Sequence, residues 1–281
     1  MKSRFMTIAI ALFMSMTMMA QNVNAVLNVN VGKLNYTDPT AQKSKAENVM
    51  DAISDAINNQ SITHQPGLVD EVRSSVLSAL SNVRRFTVTD GLSTPPTADT
   101  KLVIDGTINH ITTVSEWIKR DNKTRQEHTA KICVTLNTKN SQGKVLDSQV
   151  FDVERMSSYT NNTRDEAVRN ALQTLRLRIV RYYNVEYPFT AHILERGAEK
   201  KDKQKEVYID LGSAVGLHDG THFNVYTIGT IGGKETRKQI GRLKVSEVQG
   251  DEVSFCKVTS GAKEIKAALD AGQNLLVISD D

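Results

Sequence analysis

Near Asn184–Tyr187 the chain changes its repeat, and that change limits its architecture more than any other feature. Before it, helical stripes with apolar residues three and four apart alternate with strand-like runs. After it, six short alternating runs follow one another between Gly-containing or charged connections. A period near 3.6 buries one stripe of a helix, whereas a period of 2 buries one face of a sheet. The expectation is an α+β protein: an N-terminal mixed sheet backed by helices over 21–186, then a small C-terminal β-barrel-like domain over 187–281. At 281 residues, 39% hydrophobic and 24% charged, the chain has enough apolar side chain for two ordinary cores.

The first twenty residues are expected to be a secretory signal. Lys2 and Arg4 precede an uncharged apolar run from Phe5 to Ala20, ending in a small residue. Cleavage is expected after Ala20, with Ala25 as the alternative. Loss of Met1–Ala20 takes Lys2 and Arg4 with it and lowers the formal charge of +3 to about +1. A near-neutral chain has no strong electrostatic pull on phosphate backbones, so nucleic acid is not expected as a partner. The first cysteine is Cys133, so no lipoprotein-type N-terminal attachment is expected, and no later apolar run reaches the ~20 residues of a spanning helix.

Within the first domain, 25–34 (AVLNVNVGKL) reads as a strand, and 41–57 as a helix with Ala46, Val49, Met50, Ile53, Ala56 and Ile57 on one face. A polar stretch, 58–65, leads to Pro66 at a helix start. Val69, Val72, Val76, Leu80 and Val83 form the next stripe. Strands follow at 84–90 and 101–114, the latter with Gly106 marking a bulge or a close backbone approach. Residues 127–154 read as two strands around the turn Asn140–Gly143. Thr163 and Glu166 have capping-box spacing ahead of Val168, Leu172, Leu175, Ile179 and Tyr182. In the second domain, 262–272 is a short helix between the fifth and sixth strands.

Few residues carry a signature of chemistry. His218 and His222 flank Asp219-Gly220, which reads as a turn that splays them rather than a metal site. The string 229–236 (GTIGGKET) lacks the leading glycine and the hydroxyl of a phosphate loop and reads as a flexible hairpin connection. Cys133 and Cys256 fall in different domains and are expected as buried unbridged thiols. No cofactor, metal or catalytic residue is expected. Arg164, Arg169, Arg176, Arg178 and Arg181 decorate the last helix of the first domain. Trp117 stands beside Lys119 and Arg120. Trp117, Arg176, Arg178 and Arg181 are the candidate partner-binding residues, against the plainer readings of a solvated arginine face and a core tryptophan.

Several strings resemble the curli assembly/secretion family. They are 84–88 (RRFTV), 103–108 (VIDGTI) and the hairpin 140–146 (NSQGKVL) followed by a long helix. The resemblance spans roughly 26–183. In the tail, 207–220 (VYIDLGSAVGLHDG), 223–226 and 241–245 are similar to the C-terminal module of periplasmic flagellar assembly proteins. The first resemblance implies a mixed sheet with helices and work at the outer membrane. Its members form export channels by inserting two hairpins per subunit. Here the first position is 115–128 (SEWIKRDNKTRQEH), too charged for lipid, and the second holds only 154–162 (ERMSSYTNN). A channel is therefore not expected.

These readings favour a non-enzymatic protein of the periplasm, peripheral to the outer membrane or free of it, acting in cell-envelope or surface-appendage assembly through protein contacts. Homo-oligomers are compatible with that role. The alternative is a periplasmic activator of a peptidoglycan synthase, suggested by a similar first domain in such activators. An enzyme acting on envelope polysaccharide, using Asp105 with Glu127 or Glu154, ranks last.

Overall fold

The computed structural model describes residues 25–36, 60–120, 123–153 and 161–280. The proposed signal Met1–Ala20 with its preferred cleavage site, the helix expected at 41–57 and most of the second hairpin position lie outside them. Two compact units divide the chain, one Leu27–Tyr187 and the other containing Pro188–Asp281.

The first unit is a six-stranded mixed sheet that carries, among the described residues, two helices on one face. Strand β1 (Leu27–Tyr36) lies between β3 (Phe86–Asp90) and the long β4 (Leu102–Arg120), parallel to both. Strands β5 (Lys123–Asn140) and β6 (Val145–Val153) add antiparallel neighbours to β4 in order. The polar stretch before Pro66 is a correction to the sequence reading, because Gln60–His64 forms β2, paired antiparallel with Thr112–Glu116 of β4. The strand lies along the sheet's margin, where hydrophobic alternation is not required, and its one apolar side chain, Ile62, is 44% exposed.

Pro66 opens a one-turn 3₁₀ segment that runs into α1 (Val69–Ser81), which buries Val72, Val76, Ala79 and Leu80. Arg73 of α1 forks onto the Asp90 carboxylate, with nitrogen–oxygen distances of 2.6 and 3.2 Å, and clamps the helix to the end of β3. Helix α2 (Arg164–Glu186) starts as its sequence dictates: the Thr163 hydroxyl accepts from the Glu166 amide at 3.2 Å, and the Glu166 carboxylate accepts from the Asn162 amide at 2.9 Å. Its buried stripe is Ala167, Val168, Ala171, Leu172, Leu175, Ile179 and Tyr183. Tyr183, not Tyr182, completes the stripe, with its hydroxyl 2.9 Å from that of Thr138 on β5.

At Gly106 the close approach holds and the bulge does not. A Cβ there would stand 1.9 Å from the Thr135 carbonyl oxygen, and the register shift falls between Ile108 and His110. Strand β4 also outruns its expected end, continuing to Arg120 through the first hairpin position, where it pairs with β5 as far as Arg120 opposite Lys123.

The second unit is a closed antiparallel barrel in the order β10-β13-β12-β11-β14-β7. Its strands are β7 (Thr190–Arg196), β10 (Glu206–Ile209), β11 (His222–Ile231), β12 (Lys234–Val248), β13 (Ser254–Ser260) and β14 (Leu275–Asp280). Phe189, Val207, Phe223, Val225, Leu243, Cys256 and Val277 are among the residues of its core. Closure leaves no exposed sheet edge, which suits strands this short. A small hairpin of β8 (Glu199–Lys200) and β9 (Lys203–Gln204) was not foreseen. Helix α3 (Ala262–Asp270) seats Ile265 in the core and ties to that hairpin through Lys263–Asp202 at 2.6 Å and Lys266–Glu199 at 2.9 Å. The connection within 229–236 is more ordered than expected: the strands pair up to Ile231 opposite Lys234, and Gly232 and Gly233 turn the chain with φ of 58° and 77°.

Candidate functional site

Helix α2 points its arginines away from the core. Arg164, Arg169, Arg176, Arg178 and Arg181 are all exposed, in contrast to Leu172, Leu175 and Ile179 of the buried stripe. Two of them reach the sheet, Arg164 at the first turn and Arg178, of which a guanidinium nitrogen donates to the backbone carbonyl of Asp152 on β6. Four residues on, the Tyr182 hydroxyl donates to the Asp147 carboxylate of the same strand at 2.6 Å. The second half of α2 is therefore tied along β6.

Strand β6 ends the sheet, pairing among the described residues with β5 alone. On the face away from the helices it carries Val145 and Val150, exposed to 51% and 53%. Val150 follows Gln149, whose side-chain amide donates to the Val150 carbonyl at 3.1 Å. Side chains thus cover two edge carbonyls, those of Val150 and Asp152, which limits indiscriminate strand addition. The result is a sheet edge bordered by Arg178 on one side and by apolar β-branched side chains on the other.

Trp117 lies elsewhere. The first turn of α2 reaches β4 at Ser115, where Arg164 Nε is 3.4 Å from the hydroxyl, and Ser115 in turn meets His128 Nδ1 at 2.8 Å. Trp117 is one step further along the same face, opposite Gln126, and is 59% exposed. Arg176 is twelve residues down the helix from Arg164, about 18 Å of axial rise. The structure therefore brings Arg178 together with β6 and leaves Trp117 apart from all three of the candidate arginines.

The remaining candidates for chemistry do not converge. Asp105 pairs with Lys139 at 2.5 Å and Glu127 with Arg125 at 2.8 Å. Glu127 stands opposite Glu116, so it is separated from Asp105 by about 35 Å of strand, beyond the ~5–10 Å that sugar-cleaving carboxylates require. Glu154 lies outside the described residues. The Ser115–His128 contact has the distance of a nucleophile and its base, but Ser115 is 2% exposed and its hydroxyl is sealed off. His218 and His222 are exposed, with the His218 ring against the Asp219 carbonyl at 3.1 Å. No group of three or more potential metal ligands forms among the described residues. Cys133 and Cys256 are free and buried, one in each unit, and burial pushes the thiol of each up, that of Cys256 to about 12.

One open cleft of 410 Å³ lies where α1 and α2 begin, walled by Gln65, Leu68, Glu71, Thr113, Arg164 and Asp165 among others. Both charge signs line it, and Gln65 already bonds Thr113 across its floor at 3.2 Å. No helix among the described residues is long and apolar enough to cross a membrane.

No family model matches the chain, and no curated relative does. Among solved structures, a neuraminyllactose-binding hemagglutinin homolog from Helicobacter pylori is similar at 12% identity, over 57% of this chain and 82% of that one, with a TM-score of 0.33. A structure described only as an uncharacterized protein is 13% identical over 58% of this chain and 93% of its own, also at 0.33. A PelC dodecamer from Paraburkholderia phytofirmans is 13% identical over 56% and 86%, at 0.28. At these scores the likenesses carry no argument about this chain.

Proposed function

We propose that this is a non-enzymatic periplasmic protein, peripheral to the outer membrane, that serves envelope or surface-appendage assembly by holding other proteins. One observation carries the reading: the sheet of the first unit ends in a nine-residue strand, β6, bordered by Arg178 of α2 on one side and by exposed Val145 and Val150 on the other. Away from the two covered carbonyls, such an edge offers a partner backbone hydrogen bonds, apolar contact and positive charge together. An acidic or extended partner segment fits it.

The test is a photocrosslinking amino acid at Val150 in intact cells, with the attached proteins identified. Adducts to envelope or appendage assembly proteins, lost in the double variant Arg178→Glu/Arg181→Glu, are expected. Adducts to a cell-wall synthase would replace this reading with the regulatory one, and the absence of any adduct would end both.

A further inference from the structure

A row of side chains crosses four strands on the outer face of the barrel. Val207 and Ile209 of β10 and Cys256 of β13 belong to the core, so Tyr208 and Phe255, their neighbours in sequence, point out. These two stand opposite one another, half-buried, with ring centroids 5.4 Å apart. The register continues the row on either side: Glu195 of β7 is opposite Tyr208, and Glu247 of β12 is opposite Phe255. Both glutamates are exposed, as is Leu194, the residue skipped where the β7 register shifts, at 56%. The row therefore reads acid, ring, ring, acid, over about 14 Å of surface at the spacing of neighbouring strands.

A cross-strand aromatic pair strengthens a ladder by itself and needs no acid beside it. The glutamates are what point to a ligand. The Glu247 carboxylate accepts from the Gln249 side-chain amide at 3.2 Å, and neither glutamate pairs with a cation among the described residues. Lys257, two residues past Phe255, belongs to the next row, opposite Glu206 and Lys244.

We propose that this row binds an extended segment of a partner protein with arginines at alternate positions, one guanidinium over each ring and each bonded to the adjoining glutamate. The inference goes beyond the β6 edge, adding a second surface on the other unit for a segment of opposite charge. Three observations select this occupant. Two carboxylates without a cation between them call for positive charge. A ring beside each carboxylate favours arginine over lysine, because a guanidinium stacks on an aromatic face and forks onto a carboxylate at once. Residues i and i+2 of an extended segment point the same way about 6.6 Å apart, close to the 5.4 Å between the rings. The barrel is closed, so it offers no free strand edge and side chains carry the recognition.

The experiment uses the mature full chain and a fluorescein-labelled peptide of alternating arginine and serine, read by fluorescence anisotropy at low ionic strength. Expected is saturable binding, weaker for the lysine–serine counterpart and absent for the glutamate–serine one. Tyr208→Ala and the double variant Glu195→Gln/Glu247→Gln should each weaken it roughly fivefold. The glutamine changes keep the shape of two exposed side chains and should leave the circular dichroism as it is, so the test stands even if the tyrosine variant misfolds. No binding, binding that survives the glutamine variant, or equal binding of the lysine peptide would overturn the proposal. Self-association of the chain lost in that same variant would also overturn it, making a second copy the occupant. The Val150 crosslinks read a strand of the first unit, so each surface fails by its own measurement.

Discussion

Gly106 shows how a single residue sets the distance between strands. Its backbone lies so close to Thr135 that a methyl group would sit 1.9 Å from a carbonyl oxygen in the middle of the β4–β5 ladder. Neither strand is able to retreat, because Ile104 and Ile108 on β4 and Val134 and Leu136 on β5 are buried under the helices. Gly106→Ala is therefore expected to destabilise the first unit by about 3 kcal/mol in urea unfolding. Gly67→Ala is the control: nothing lies within 4 Å of that position, and the change should be neutral or slightly stabilising.

Helix α2 is held at its C-terminal end by an aromatic belt. Tyr183 and Tyr187 pack on Phe86, with ring centroids 5.6 and 5.3 Å away, and Tyr182 packs on Phe151 at 5.6 Å. Burial raises all three tyrosine hydroxyls above their ordinary value of 10.0, that of Tyr187 to about 12, and for Tyr182 the hydrogen bond to Asp147 adds to it. The sign follows from linkage: in the unfolded chain these groups ionise near 10, while the folded protein keeps their protons. Above pH 10 the unfolded state binds fewer protons and is favoured. Their contribution is complete below about pH 10 and is lost as the pH rises towards 12. In an alkaline titration, the tyrosinate absorbance of these three should appear only in step with the loss of helical circular dichroism.

Each unit has its own core and one buried cysteine: Cys256, 0% exposed, belongs to the barrel core, and Cys133, 7% exposed, lies on β5 of the mixed sheet. A thiol reagent added along a denaturant series therefore reads the units separately. Cys133→Ser should leave a protein whose labelling tracks barrel opening, and Cys256→Ser one whose labelling tracks the mixed sheet. If the two units unfold as independent cooperative bodies, Gly106→Ala lowers the midpoint of the second variant and leaves that of the first unmoved. A shift of both midpoints would show that the units unfold together.

Much of the fold was legible because it is written in near neighbours. The Thr163–Glu166 cap, the stripe of α2, the turn at Asn140–Gly143 and the alternation of the barrel strands each depend on residues a few positions apart, and each formed as its spacing required. The glycine at 106 signalled something, but only the tertiary pairing showed that it was close approach and not a bulge. Strand β2 was missed because a marginal strand carries no hydrophobic rhythm; its partner lies about fifty residues away on β4. The candidate site was legible in part. Composition drew attention to Trp117 and to Arg178, yet their roles separate only in space. Arg178 meets β6 because α2 lies along that strand, and Trp117, one row past the first turn of α2, is 59% exposed. Local sequence determines which elements form and which faces they must hide. Which strand ends a sheet, and which side chain stays exposed, depends on chain segments far apart meeting in register, and no local pattern encodes that.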